Sequence, residues 1–535
     1  QVDISSLDTP GTYTVFAGNQ QSDPFVIDEY WKVYHKTEVA LVKSFYFQRT
    51  RTSLDMPYAQ WDGDQYLRKG VSHVYPDVGW DYETYPDKVK KWQDDPDKQW
   101  WPGEQIKKGW FDAGNFDMYI PSTGPSAQIL LEAYLLSPDL FLDNDQNIPE
   151  SGNGVPDLLD EVTWGLDWIM SMQQKDGAFR HSEAVRAWTS VIPADKDDTV
   201  RWIRGISSSA AAKAVSVLAK AAVIYKKFPP YADVAAKYET AAKMGWEWLK
   251  AHPENIKMDG KGSPQPRWDD DPEHNDHAAR FAAAAEMWLN FRDQSALAEL
   301  KNMLFKYKWE ELEDPKLIVT GSWVNISRYG LGSLALDSQT PEDIRNFAKK
   351  QMIAAGDELM PIAAKDGYLV VSSINDYYWG HNANLSEKTH LLSVVSKITG
   401  DTKYLQVARD QWHWLMGRNP NGYAMATRVG KGVTAVYHME WGPFSPPPPG
   451  FAVGGPNYVN MPNLSPGAPA KAICWDNPEP TSAGTPAHSM FHWKQEDIWD
   501  GGFVAQDSWE DGWWNVLETD ILYSAGFVLA GIAIR

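Results

Sequence analysis

The stretch "VPDLLDEVTWGLDWIMSMQQ", residues 155–174, sets Leu158, Leu159, Val162, Leu166, Ile169 and Met170 at helical spacing on one face. Pro156 falls in the first turn, where its missing N–H costs nothing. Outward from this segment, comparable helical runs occupy 30–48, 126–137, 207–227, 231–250, 278–292, 294–307, 341–355, 384–399, 401–416 and 516–533. No strand–helix–strand alternation interrupts them. No self-similar period links them either, which disfavours a helical-repeat solenoid. Long Gly-, Pro- and aromatic-rich loops separate the helices, above all 50–125 and 417–515. Helical hairpins with long loops on one side predict an all-α fold, an α/α barrel whose loops build a cleft.

Only the first residues read differently. In 2–27 a Pro-Gly turn, an alternating Tyr-Thr-Val-Phe run, a Gly-Asn-Gln-Gln turn and a second apolar run predict short β-strands. Two strands alone are marginal in water. Residues 1–28 are therefore expected to be the closing strands of a sandwich module, or a hairpin leaning on a helical domain spanning 29–535.

The formal net charge of −21 argues against nucleic acid and anionic membranes as partners, since both reward Lys and Arg. No run approaches the roughly 20 apolar residues that span a bilayer. The chain opens at Gln1 without a charged-then-apolar leader, so a leader is either absent or already removed, and the expectation is a secreted or periplasmic protein. A single cysteine, Cys474, excludes an internal disulfide and a multi-cysteine zinc site. Aromatic residues are abundant, with 27 Trp and 24 Tyr. Many will fill the core. Clusters in polar loops (Trp100-Trp101, Tyr377-Tyr378-Trp379, Trp441, Trp475, Trp513-Trp514) are instead candidates to stack on the flat faces of sugars.

A second stretch, "GWFDAGNFDMY" (109–119), invites an acid at position 115 beside Asp112, and holds Asn115 instead. An amide binds a water or a sugar hydroxyl but takes a proton from neither. Together with "NIPESGNGVPDLLDE" (147–161), "YYWGHNANL" (377–385), "ITGDTKYLQVARDQWHWLMGRNPNG" (398–422), "GGPN" (454–457) and "ETDILYSAGF" (518–527), it resembles glycoside hydrolase family 9. That family comprises inverting cellulases built on an (α/α)6 barrel, and many members carry a preceding immunoglobulin-like module. The resemblance covers roughly residues 2–535 and implies inverting hydrolysis of a β-1,4-linked glycan. A carboxylic acid protonates the leaving oxygen while a carboxylate ~6.5–9.5 Å away activates water.

The resemblance assigns Glu518 as the acid, with Tyr523 and Ala525 at the family's spacing and Ser524 where Asn is usual. It assigns Asp112 to orient or activate water, and it puts Asn115 at the base position. Three readings stay open there. Asn115 is an inactivating replacement; or Asp112, less plausibly Asp117, serves as base; or the protein binds glycan without cleaving it. His438, Trp379, Tyr378 and Arg418 are the candidate sugar contacts, with Tyr523 behind them. The family's His-His-Arg motif is replaced by "VYHMEWG" (436–442), which puts Glu440 near the sugar. A carboxylate there would suit a glucosaminyl ammonium. The alternative activity is thus exo-β-D-glucosaminidase action on chitosan oligosaccharides, beside endoglucanase action on cellulose and cello-oligosaccharides.

In Asp143-Asn-Asp145-Gln-Asn147-Ile148, oxygen donors alternate as in a calcium loop, and the resemblance to a family that often binds structural calcium supports such a site. The competing reading is an Asx-rich turn leading into the Pro156 helix. The acidic patch Asp269–Asp276, with His274 and His277, is a weaker metal candidate. No organic cofactor is expected, the partner is a β-linked polysaccharide or oligosaccharide, and a monomer is favoured.

Overall fold

The structure is a computed structural model that describes residues 4, 7–72, 78–79, 106–185, 193–197, 199, 201–258, 273–306, 326–373, 376–377, 379–442, 446–456 and 517–535. Among these residues there are twelve α-helices: α1 (Tyr30–Phe47), α2 (Ile120–Leu136), α3 (Asp157–Ser171), α4 (Ser208–Tyr225), α5 (Ala232–Ala251), α6 (Glu273–Phe291), α7 (Gln294–Lys301), α8 (Ser327–Leu336), α9 (Glu342–Ala363), α10 (His381–Thr399), α11 (Thr402–Leu415) and α12 (Ile521–Ala533). The even-numbered helices pack side by side in a closed ring, α2 on α4, α4 on α6, and so on round to α12 on α2. Odd-numbered helices pack outside them, α1 on α12, α3 on α2, α5 on α4, α7 on α6, α9 on α8 and α11 on α10. The expected (α/α)6 barrel is present.

Burial follows from this layering. Inner helices are covered on nearly every side; all 13 residues of α12 are buried. Outer helices keep a wet stripe, so α5 alternates buried Ala235, Tyr238, Ala242 and Leu249 with exposed Lys and Glu. Ser207, Asp293, Asp401 and Asp520 cap α4, α7, α11 and α12, each accepting a backbone N–H from the first turn. Asp157 and Asp160 sit in the first turn of α3, where the helix dipole favours negative charge. By length and composition α4 could cross a membrane, contrary to the sequence reading, but 94% of it is buried inside the barrel.

Two features add detail to the sequence reading. Residues 11–27 form one interrupted hairpin: β1 (Gly11–Tyr13) pairs antiparallel with β4 (Phe25–Ile27), and β2 (Phe16–Ala17) with β3 (Gln20–Gln21). Its side chains lie mostly in solvent, and the immunoglobulin-like module is not shown. A small sheet is not anticipated by the sequence. Met118–Tyr119 pairs antiparallel with Ser182–Val185, which pairs antiparallel with Arg201–Ile203, and that strand runs parallel to Val78–Gly79. It fixes the chain entering α2.

Candidate active site

Three segments that each lead into an inner helix converge: 110–119 before α2, 376–380 before α10 and 517–520 before α12. The first is tied down early, where the Phe111 N–H donates to the Gln48 carbonyl at 2.9 Å and the Thr50 N–H to the Gly109 carbonyl at 2.9 Å. It then turns on itself. The Asp112 N–H donates to the Asp117 carbonyl at 3.0 Å, and the Asp117 N–H donates to the Asn115 side-chain oxygen at 2.7 Å. Asn115 thus holds the turn together with its amide oxygen while remaining partly open to solvent.

This loop is laced to the segment carrying Glu518. The Ile521 N–H donates to the Asp112 carbonyl at 2.8 Å, the Met439 N–H to the Gly114 carbonyl at 2.7 Å and the Tyr437 N–H to the Leu517 carbonyl at 2.9 Å. The Gly114 N–H and the Trp379 side chain both face the Glu518 carboxyl and favour its charged form. Gly114 has to be glycine: a Cβ there would lie 2.7 Å from the Tyr437 carbonyl oxygen.

Four carboxyls therefore share a small volume. Burial, then the charge of Asp520, raises the Glu518 pKa to about 8, against the pull of the two donors. Asp112 is raised well above the usual carboxylate range by burial, then by Asp520, Asp117 and Glu518. Burial raises Asp520 to about 7, although the Leu522 N–H bonded to it pulls the other way. Asp117 is fully buried and accepts the Tyr119 hydroxyl at 2.9 Å. At neutral pH Glu518 keeps a proton to give, as a general acid must.

Trp379 and Tyr523 come to the same place: the Tyr523 hydroxyl lies 3.0 Å from where a Cβ on Gly380 would stand. Tyr378, Trp100, Trp101, Trp475, Trp513 and Trp514 lie outside the described residues. Four other sequence expectations are corrected. His438 is fully buried; its Nδ1 accepts the Glu440 and Trp441 N–H groups at 3.0 and 3.2 Å, so Nε2 donates to Gln48 Oε1 at 2.9 Å. Burial, then Arg68, lowers its pKa to about 3, and it is a neutral structural residue rather than a sugar contact. Glu440 is buried against Arg68, Nε to Oε1 at 2.8 Å and Nη2 to Oε2 at 2.6 Å, so its charge is already answered. Arg418 turns to α11, bonding Asp410 Oδ1 at 2.9 Å. Trp441 is a core residue whose indole donates to the Phe47 carbonyl at 3.1 Å.

The calcium expectation at Asp143, Asp145, Asn147 and Ile148 does not fit the geometry. Asp143 spends both carboxylate oxygens on the Gly152 and Gly154 N–H groups, and Asp145 accepts the Leu142 N–H at 3.3 Å. The Asn147 amide donates to the Pro57 carbonyl at 2.8 Å, and the Ile148 carbonyl accepts the Ser151 N–H at 3.0 Å. The buried ammonium of Lys43 bonds the Gln146 and Asn147 carbonyls at 3.0 and 2.9 Å, which puts a fixed positive charge beside the loop. The segment is the Asx-rich turn of the alternative reading, organised round Asp157, which accepts the Asn144 and Gln146 N–H groups and the Ser151 hydroxyl. Among the described residues no group of three His, Cys, Asp or Glu could hold a metal. Residues 269–272 of the second patch lie outside them.

The sequence reading misses Asp520. Its one local signal, an acid just before an apolar run, marks a helix cap and says nothing of its nearness to Asp112.

Comparison with known proteins agrees with this geometry. The family model described as Glycosyl hydrolase family 9 matches residues 34–531. Endoglucanase D of Acetivibrio thermocellus is 27% identical over 359 residues, covering 65% of this chain and 55% of that protein. The chain thus spans about half the length of that relative. A xyloglucan-specific endo-beta-1,4-glucanase of Bacteroides ovatus is 26% identical over 476 residues, covering 85% of this chain and 76% of that one. Among solved structures, a metagenome-derived glycoside hydrolase family 9 endoglucanase superposes with a TM-score of 0.78 at 26% identity, covering 100% of this chain and 86% of that one.

Proposed function

The chain belongs to glycosyl hydrolase family 9 and is cellulase-like, and we propose that it hydrolyses internal β-1,4 bonds of a glucan with inversion at the anomeric carbon. The observation that carries the reading is the Glu518 carboxyl, half-buried, faced by Gly114 and Trp379, and protonated up to a pKa of about 8 beside the Asp112 carboxyl. Glu518 gives its proton to the glycosidic oxygen as that bond breaks. Asp112, with Asn115 beside it, holds the water that attacks from the opposite face and takes its proton. Trp379 offers an aromatic surface next to the acid.

The relatives named endoglucanase support β-1,4-glucan as substrate. A polymer of that kind is met outside the cytoplasm, so the secreted or periplasmic expectation stands within this proposal. The amino-sugar alternative loses its support, because Arg68 already occupies Glu440. Reducing-sugar release tests the reading. Product from soluble cellulose and cello-oligosaccharides, with little from chitosan oligosaccharides, is expected. Saturable binding of cello-oligosaccharides without turnover would replace hydrolysis by glycan binding alone.

A further inference from the structure

Position 115 lacks a carboxylate, yet the loop is not short of acid. Asp520 stands in the segment to which the loop is laced, one residue before the Ile521 N–H that bonds the Asp112 carbonyl. Its Oδ1 accepts the Leu522 N–H at 2.6 Å and caps α12. Asp112 is 7% exposed, and its Oδ1 has no hydrogen-bond partner. A buried carboxylate oxygen left unpaired is costly, and its complement in a glycan cleft is a water or a protonated neighbour.

We propose that Asp112 and Asp520 act as a carboxyl pair that shares one proton and supplies the base that Asn115 cannot. This rests on the hydrolytic reading and goes beyond it by giving a role to Asp520. The carboxyls facing the pair are Asp117 and Glu518, and Asp520 is the strongest like charge acting on both Asp112 and Glu518. Two carboxylates that raise one another in this way resist ionising together, so the pair titrates in two separated steps and carries one proton between them. The ionised member is then a stronger base than a free aspartate. During the reaction the attacking water forms the new C–O bond and passes its proton to that member. Glu518 donates its own proton to the departing oxygen as the old C–O bond breaks. Proton exchange with solvent resets both.

The competing role for Asp520 is that of a helix cap alone, and Asn caps a helix as well as Asp does. Asp520→Asn therefore keeps the cap and removes the charge; Asp520→Ser is a second neutral cap should Asn perturb folding. Each is made in the parent and in an Asn115→Asp background, and cellopentaose turnover, the pH–rate profile and Tm are measured. The pair predicts Tm near pH 4 within about 2 °C of the parent, kcat down at least about ten-fold with KM within about three-fold, and the acid limb moved to lower pH. In the Asn115→Asp background the same change costs less than about three-fold, because the new carboxylate takes the proton. An unchanged kcat, or equal losses in both backgrounds, makes Asp520 a cap and overturns the pair. A parent inert where Asn115→Asp is active also overturns it, while leaving the hydrolytic architecture standing. If both are inert on every β-1,4-glucan, the hydrolytic reading falls first and the pair with it.

Discussion

The Ile521 N–H donates to the Asp112 carbonyl at 2.8 Å, which couples the loop bearing Asp112 to the segment bearing Glu518 and Asp520. With the Gly114 contact to the Glu518 carboxyl, it sets acid and base in one frame. Inversion depends on that spacing, since a water has to fit on the face of the sugar away from the acid. Catalytic geometry here is a property of the α2–α12 junction.

Removing the proton donor should stop the chemistry and spare the grip on the sugar. Glu518→Gln is expected to lower kcat on an unactivated cello-oligosaccharide by at least ~10²-fold, the low end of a positioned acid. Affinity, read by calorimetry, should stay within a few-fold. Retention of more than about a tenth of parent activity would remove Glu518 from the acid role.

The carboxyl cluster makes a prediction about pH. Glu518 has to be protonated, so activity should fall as pH rises through about 8. Stability follows the same sign. Glu518 and Asp520 titrate above their ordinary values in the fold, so the stability they contribute is full below those ordinary values. It is lost as pH rises through about 7 for Asp520 and about 8 for Glu518. In thermal melts Glu518→Gln should match the parent near pH 4 and melt a few degrees higher above pH 8. A variant that melts lower at alkaline pH would contradict the assigned burial.

Much of the barrel is legible in the sequence because the outer helices carry a wet and a dry face. Residues 155–174, 231–250 and 401–416 announce α3, α5 and α11 almost to their ends. Inner helices give weaker signals, since a helix buried all round has no stripe to read. The run Ser327–Leu336, with Gly330 and Gly332 inside it, does not read as a helix at all. The sequence places the start of α2 six residues late because Pro121, Gly124 and Pro125 look like a loop, although Pro121 stands in the first turn and both prolines are buried. Glu518 and Asp112 are found through motif order. The fates of His438, Glu440 and Arg418 cannot be read locally, because Gln48, Arg68 and Asp410 each act through contacts that only the folded chain creates.

Arg68 and Glu440 are a structural pair, and their loss should show as instability rather than altered specificity. Glu440→Gln leaves the Arg68 guanidinium buried without its counter-charge, an expected cost of about 3–5 kcal/mol by denaturant unfolding. Glucosamine and cello-oligosaccharides should be affected alike. A selective loss of glucosamine binding in a stably folded variant would return Glu440 to the sugar site.

Lys43 should matter as a built-in cation. Burial lowers its pKa to about 7, yet its ammonium bonds the Gln146 and Asn147 carbonyls. Lys43→Met leaves two acceptors unpaired and is expected to cost about 2–3 kcal/mol by urea unfolding. Added calcium should not restore it. Full rescue by millimolar calcium would show that the loop is a metal site after all.

The most direct measurement is proton NMR of the products within minutes of mixing enzyme with cellopentaose. The account predicts that the first anomeric signal to grow is the α form, with the β form appearing later by mutarotation. A β signal growing first would mean retention, and it would contradict the assignment of Glu518 as acid opposite a water activated by Asp112.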